Sequence, residues 1–187
     1  MDNTRTKKLT MCALLIAIGV VLSFLRIPIS QITEITLTGL PIAAAGFMFG
    51  PLSAAAVGAL IDVAGFLVRP MGPYFPGFTI SNAIIGMIYG AFLWQRRWCS
   101  DKMREQHPML ASDRGLFARI ALSHLVKTLF VSLLLNCVWL SFFYGMPFKA
   151  VIIGSIPKEA INFPIEVTLI FTVLKIIKKI KPMERQI

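Results

Sequence analysis

Asp62, Asn82, Glu159 and Asn162 can each form strong directional hydrogen bonds, yet they stand inside otherwise apolar stretches. Lys158 adjoins Glu159, and Lys127 and Glu166 are further charges set in apolar runs. A charge in such surroundings is expensive unless it is paired or faces a wet cavity, so each of these residues marks a candidate site. Several chemistries are open to them. Carboxylates and amides can accept from the donors of a polar solute, or Asp62 and Glu159 can serve as acid and base toward a bound headgroup. Equally, Asp62, Lys158 and Glu159 can neutralise one another, and Asn82 and Asn162 can simply bond one helix to the next. Arg26, Arg69 and Lys149 lie at the ends of apolar runs. There they either snorkel to headgroups or form a mouth that attracts an anion. Trp139, Phe142, Phe143 and Tyr144 read individually as an interfacial aromatic belt.

Several familiar chemistries find no motif. The sequence contains no GxxxxGK[ST], HExxH, GxSxG or CxxC pattern, so neither ATP hydrolysis nor a recognisable nucleophile is expected within this chain. Cys12, Cys99 and Cys137 have no metal-like spacing, and neither a disulfide framework nor a metal site is expected. His107 reads as a solvated histidine and His124 as one hydrogen-bonded inside a span.

The elements that must carry these residues follow from composition. Of 187 residues, 56% are hydrophobic and 15% charged, and the mean hydropathy is +0.74, which is beyond the balance of a soluble domain. A helix crossing a hydrocarbon core of about 30 Å needs roughly 20 mostly apolar residues. The spacing predicts one membrane domain over residues 1–187 with six spans, at 9–26, 40–49, 51–69, 79–95, 116–143 and 151–177. The second is short and is divided from the third only by Gly50-Pro51, which reads as a tight turn. The fold class expected is all-α and integral to the membrane, with partly non-helical loops capping a cavity in its outer half.

Six spans place both termini on one face, and the basic residues select it. Arg5, Lys7 and Lys8, then Arg96, Arg97, Lys102, Arg104 and Arg114, then Lys175, Lys178, Lys179, Lys181 and Arg185 all fall on that face, which is therefore expected to be cytoplasmic. The net charge of +10 then reflects topology and anionic lipid rather than nucleic acid. The basic start followed by an apolar run resembles a signal peptide, but no small-x-small cleavage pattern follows soon after, so the first span is read as retained. On this topology the polar residues share the outer half, and the inner half is comparatively bare apart from Lys127 and Glu166. RPMGPYFPGFTISNA, residues 69–83, lies over that polar level; its prolines and glycines make a stiff, ordered lid more plausible than a pliant connector. IPISQITEITLTGLP is a second lid candidate, and its Ile/Thr alternation predicts extended backbone. Ala13 and Ala17 form an AxxxA pair, and AAAGFMFG and SAAAVGA add small residues at helical spacing. Such strips serve internal helix packing or dock a second membrane protein.

GPLSAAAVGALIDVAG followed by PYFPGFT, with a TRTKKLT start and a basic C-terminus, resembles the substrate-binding (S) subunits of energy-coupling factor (ECF) transporters. The likeness is closest to the folate-specific FolT family and runs over nearly the whole chain. It implies a six-helix, non-catalytic subunit of the cell membrane that captures a vitamin from outside. Such a subunit associates with a transmembrane coupling subunit and two ATPases, and no cofactor is implied. Ala13 and Ala17 would face the coupling subunit, and the loops after the first and third spans would close over the ligand. For a folate, the adjacent N–H donors of the pterin suit Asp62, Asn82, Glu159 or Asn162. The rings suit Phe24, Tyr74, Phe75 and Trp139, and the glutamate tail suits Arg26, Arg69 or Lys158. Other readings are an S subunit for thiamine, riboflavin or pantothenate, a small intramembrane enzyme acting on lipid headgroups, and an ion-coupled carrier using Lys127 and Glu166.

Overall fold

The computed structural model describes residues 3–25, 27–30, 33–35, 37–70, 74–94, 112–145 and 147–180. The described part is built of helices, with one two-stranded hairpin. Helix α1 (Asn3–Phe24) leads into β1 (Ile27–Ser30) and β2 (Thr33–Ile35), which pair antiparallel with Ile27 opposite Ile35. Then follow α2 (Gly39–Phe49), α3 (Pro51–Val68) and α4 (Pro76–Leu93). Beyond these come α5 (Asp113–Lys127), a π-helical segment (Thr128–Leu135), α6 (Asn136–Tyr144) and α7 (Phe148–Ile180). The long basic connection, with Cys99 and His107, lies outside the described residues.

The boundaries have local causes. Gly50, at φ +85°, ends α2, and Pro51 opens α3 as its first residue, where a missing N–H costs no hydrogen bond. Pro76 opens α4 in the same way. Ser112 caps α5 by accepting from the Gly115 backbone N–H at 3.2 Å. Gly145, left-handed at φ +64°, closes α6.

Helix bounds differ from the hydropathy spans where polar residues continue the backbone ladder. Thus α1 begins at Asn3 rather than residue 9, and α7 runs for 33 residues, beyond 151–177 at both ends. The fifth run is helical throughout but changes to π geometry for eight residues, which a hydropathy profile cannot register. The alternating loop after α1 does contain extended backbone, in β1 and β2.

Large apolar side chains point outward: Leu9, Leu14, Leu52, Leu67, Phe130, Phe142 and Ile153 are all exposed. Five helical stretches have the length and apolarity to cross a membrane, and α2 is a shorter apolar helix. The interior combines large apolar side chains, among them Ile42, Tyr89, Leu93, Ile120 and Leu174, with small residues. Ala43, Ala44, Ala45 and Ala54 are buried, so the AAAGFMFG and SAAAVGA strips serve internal packing. Helix α2 sits among α1, α3, α4 and α7. A Cβ at Gly86 would collide with the Ala54 carbonyl, and one at Gly58 with the Asn82 carbonyl, so α3 and α4 meet backbone to backbone. Ala13 and Ala17 are exposed on α1.

Candidate functional site

The end of the molecule where α3 gives way to α4 carries an aromatic roof. Phe75, the residue before α4, packs its ring against Phe143 at 4.2 Å, Trp139 at 5.4 Å and Phe78 at 5.5 Å between centroids. Tyr74 lies 5.0 Å from Phe66 of α3. The described end of the 69–83 loop is thus held between α3 on one side and α6 on the other. Each such ring pair contributes on the order of 0.5–1.5 kcal/mol beyond its area.

Beneath the roof, Asp62 ties α3 to α4. Thr79 Oγ1 donates to Asp62 Oδ2 at 2.6 Å, and Asn82 Nδ2 donates to Oδ1 at 3.0 Å. Tyr74 OH lies 2.7 Å from Thr79 Oγ1. Because the threonine's one proton goes to Asp62, the tyrosine must donate. A relay from loop to helix results: Tyr74 to Thr79 to Asp62.

Deeper in the bundle, α4, α5 and α7 contribute a second polar group. Lys127 Nζ donates to Glu166 Oε2 at 3.0 Å, His124 Nδ1 lies 3.2 Å from the same oxygen, and Tyr89 OH lies 3.1 Å from His124 Nδ1. All four residues are buried. A methyl group at Gly39 would sit 3.4 Å from either oxygen of Glu166, so this carboxylate faces the positive end of the α2 dipole. Asp113, at the start of α5, meets Lys178, near the end of α7, at 2.9 Å. Measured from that contact, Lys127 lies about 21 Å and Glu166 about 18 Å along their helices at 1.5 Å per residue. This level holds a four-residue network in which Lys127 and Glu166, the two charges the sequence set apart from the outer polar groups, pair with each other beside His124 and Tyr89.

Between roof and network lies Glu159, 7% exposed, with Asn162, 3% exposed, one turn along the same face of α7. Thr128 Oγ1, the first residue of the π segment, donates to Glu159 Oε2 at 2.9 Å. Pro157 and Pro164 flank the pair inside α7, and each removes a ladder hydrogen bond. Irregular backbone thus borders Glu159 on both helices, and within a membrane such irregularity is tolerated where it lines a protein interior or cavity. Among the described residues, Asn162 Oδ1, Asn136 Oδ1 and Trp139 Nε1 are buried without a hydrogen-bond partner. Asn136 and Trp139 share a face of α6, which packs on α7.

The sequence candidates therefore divide. Asp62, Asn82, Tyr74, Phe75 and Trp139 gather at the roof, while Glu159 and Asn162 lie on α7. Phe24 ends α1, 41% exposed, and makes no ring contact among the described residues. Arg69 follows α3, exposed, with no carboxylate partner among the described residues. Arg26 and the side chain of Lys158 lie outside them. His124 is hydrogen-bonded internally, as the sequence suggested. Reading from sequence left Thr128 and Tyr89 unnamed, and took Lys127 and Glu166 as candidate charges without joining them to His124. The two charges were visible by type alone; the rest needed knowledge of which helix faces meet.

These features define a multi-pass helical membrane protein with polar groups turned to its interior. Residues 7–174 match the family model described as "ECF transporter, substrate-specific component". The chain belongs to that family of transporter components. It is 34% identical over 146 residues to the folate transporter FolT of Clostridium novyi (strain NT), spanning 78% of this chain and 75% of that protein. It is 24% identical over 174 residues to FolT of Leuconostoc mesenteroides, covering 90% and 85% respectively. Among solved structures, it resembles FolT bound with folic acid, with a TM-score of 0.73 and 30% identity over 90% of this chain and 92% of that one. An S component for biotin from an ECF-type ABC transporter shares the fold at 22% identity and a TM-score of 0.66, covering 94% of each chain.

Proposed function

We propose that this chain captures a folate from the outer side of the cell membrane as the specificity subunit of an ATP-driven vitamin importer. The observation that carries this reading is the 30% identity, over nine-tenths of the chain, to a FolT structure bound with folic acid. The site's chemistry supports it. Flat aromatic faces stand at one end, buried carboxylate and amide groups lie below them, and Arg69 is an exposed cation beside the roof. Arg69, with Arg26 and Lys158, complements the two negative charges of a folate's glutamate tail. The 69–83 loop and the β1–β2 hairpin act as lids. Six spans within one membrane domain leave both termini in the cytoplasm, where the basic residues collect. Hydrolysis resides in two ATPase partners, and a transmembrane coupling subunit docks on the exposed Ala13–Ala17 face of α1.

The test is to purify the chain alone in detergent and titrate folic acid, 5-formyltetrahydrofolate, thiamine and riboflavin by calorimetry. Tight one-to-one binding of a folate, without turnover, is expected. Tight binding of thiamine or riboflavin and none of either folate overturns the ligand assignment. Uptake into vesicles without any ATPase overturns the division of labour.

A further inference from the structure

A buried carboxylate, Glu159, and a half-buried one, Asp62, compete for the role of reading the ligand's heterocycle, and their surroundings separate them. Both oxygens of Asp62 already accept from neutral donors on α4, and the relay through Thr79 reaches the loop residue Tyr74. Those bonds give Asp62 a mechanical task, holding the roof to α3 and α4. Glu159 is placed otherwise. Its described hydrogen bond is the one from Thr128 to Oε2, and a carboxylate has about four acceptor sites, so most of its capacity remains. One turn along α7, Asn162 Oδ1 is buried and unpartnered, and Trp139 Nε1 and Asn136 Oδ1 on the adjoining α6 are unpartnered as well. A buried donor or acceptor left unmade costs free energy, and three on neighbouring helices mark where a polar guest would satisfy them.

Resting on the folate reading above, we propose that Glu159, positioned by Thr128 and seconded by Asn162, is the specificity-determining residue. It accepts the paired ring N–H and 2-amino donors of a pterin, while Asp62 fastens the lid. An ionised carboxylate accepting two parallel donors makes a strong contact, and in a dry site it rejects an analogue lacking one of them. Trp139 Nε1–H supplies a donor for an acceptor on the same ring system. The π turn at Thr128 and the prolines at 157 and 164 set this arrangement on backbone that departs from a plain helical ladder, as at discontinuous-helix sites in other membrane transporters.

The experiment compares folic acid with 2-desamino-folic acid, which lacks the 2-amino donor, on wild-type protein and on Glu159→Gln, Thr128→Val and Asp62→Asn. Wild type is expected to prefer folic acid by roughly 10- to 100-fold, the range for a lost charge-assisted contact. Glu159→Gln should weaken folic acid by a similar factor and bring the preference close to one. Thr128→Val keeps the charge and should reduce the preference partially; it carries the test if Glu159→Gln does not fold. Asp62→Asn should keep the preference and speed dissociation of both compounds alike. An unchanged preference in Glu159→Gln, or in Thr128→Val where that variant carries the test, or a preference lost only in Asp62→Asn, overturns the assignment. Wild type that binds neither compound overturns the folate reading itself, an outcome distinguishable from the others.

Discussion

Lys127 and Glu166 approach to 3.0 Å with side chains 9% and 3% exposed, so neither charge can lean on water. Their attraction, the nearby His124 ring and the N-terminus of α2 together offset the desolvation. Removing one partner leaves the other charge buried alone, whereas replacing both with apolar groups of similar volume is often neutral. Glu166→Ala is therefore expected to destabilise the protein by about 3–5 kcal/mol, and Lys127→Met combined with Glu166→Leu to recover most of that loss. Thermal unfolding of the detergent-solubilised variants checks both, and a Glu166→Ala midpoint equal to wild type would remove the pair from any structural account. Type and position of these charges are plain in the sequence; that they meet across 39 residues is not. Asp62 and Glu159 make the complementary case. In sequence they are equivalent carboxylates, and their hydrogen-bond partners distinguish them.

At the scale of elements, the glycines of α4 decide how closely it lies on α3. A side chain at Gly86 would press on the Ala54 carbonyl, a backbone atom that cannot rotate aside. Gly86→Ala should cost about 1–3 kcal/mol by overpacking, despite alanine's better helix propensity. Gly154→Ala, at a position on α7 with nothing within 4 Å, should leave the unfolding midpoint unchanged or slightly raised. Equal effects at both sites would show that helix propensity, not contact, governs. Punctuation at Gly50-Pro51 was legible because those residues constrain the backbone locally, whereas Pro76, read as part of the loop before a span starting at 79, opens α4 itself. The π segment was not legible, since its eight residues, TLFVSLLL, are as apolar as any helix of this bundle and its hydrogen-bond shift depends on what the neighbouring helices require.

For the whole molecule, large apolar side chains are exposed on the outside while the interior adds small and polar residues to its apolar core, a distribution unlike that of a soluble protein. Within that shell, α1 presents Ala13 and Ala17 to its surroundings, whereas the small residues of α2 are consumed by internal packing. If the α1 face receives the coupling subunit, Ala13→Trp should leave ligand binding intact and abolish ATP-driven uptake in vesicles carrying the complete importer. Transport that survives the substitution places the docking face elsewhere.

Sequence alone determined the solvent this chain answers to, the approximate helices, the turn at Gly50-Pro51 and the polar inventory. Those properties depend on transfer free energy and local backbone sterics, which act residue by residue. Tertiary structure decided which polar groups meet: Asp62 with Thr79 and Asn82, Glu159 with Thr128, and Glu166 with Lys127. Such pairings join residues 17 to 39 positions apart, and their selection depends on helix rotation and depth, which small-residue contacts between helices set and no single segment encodes.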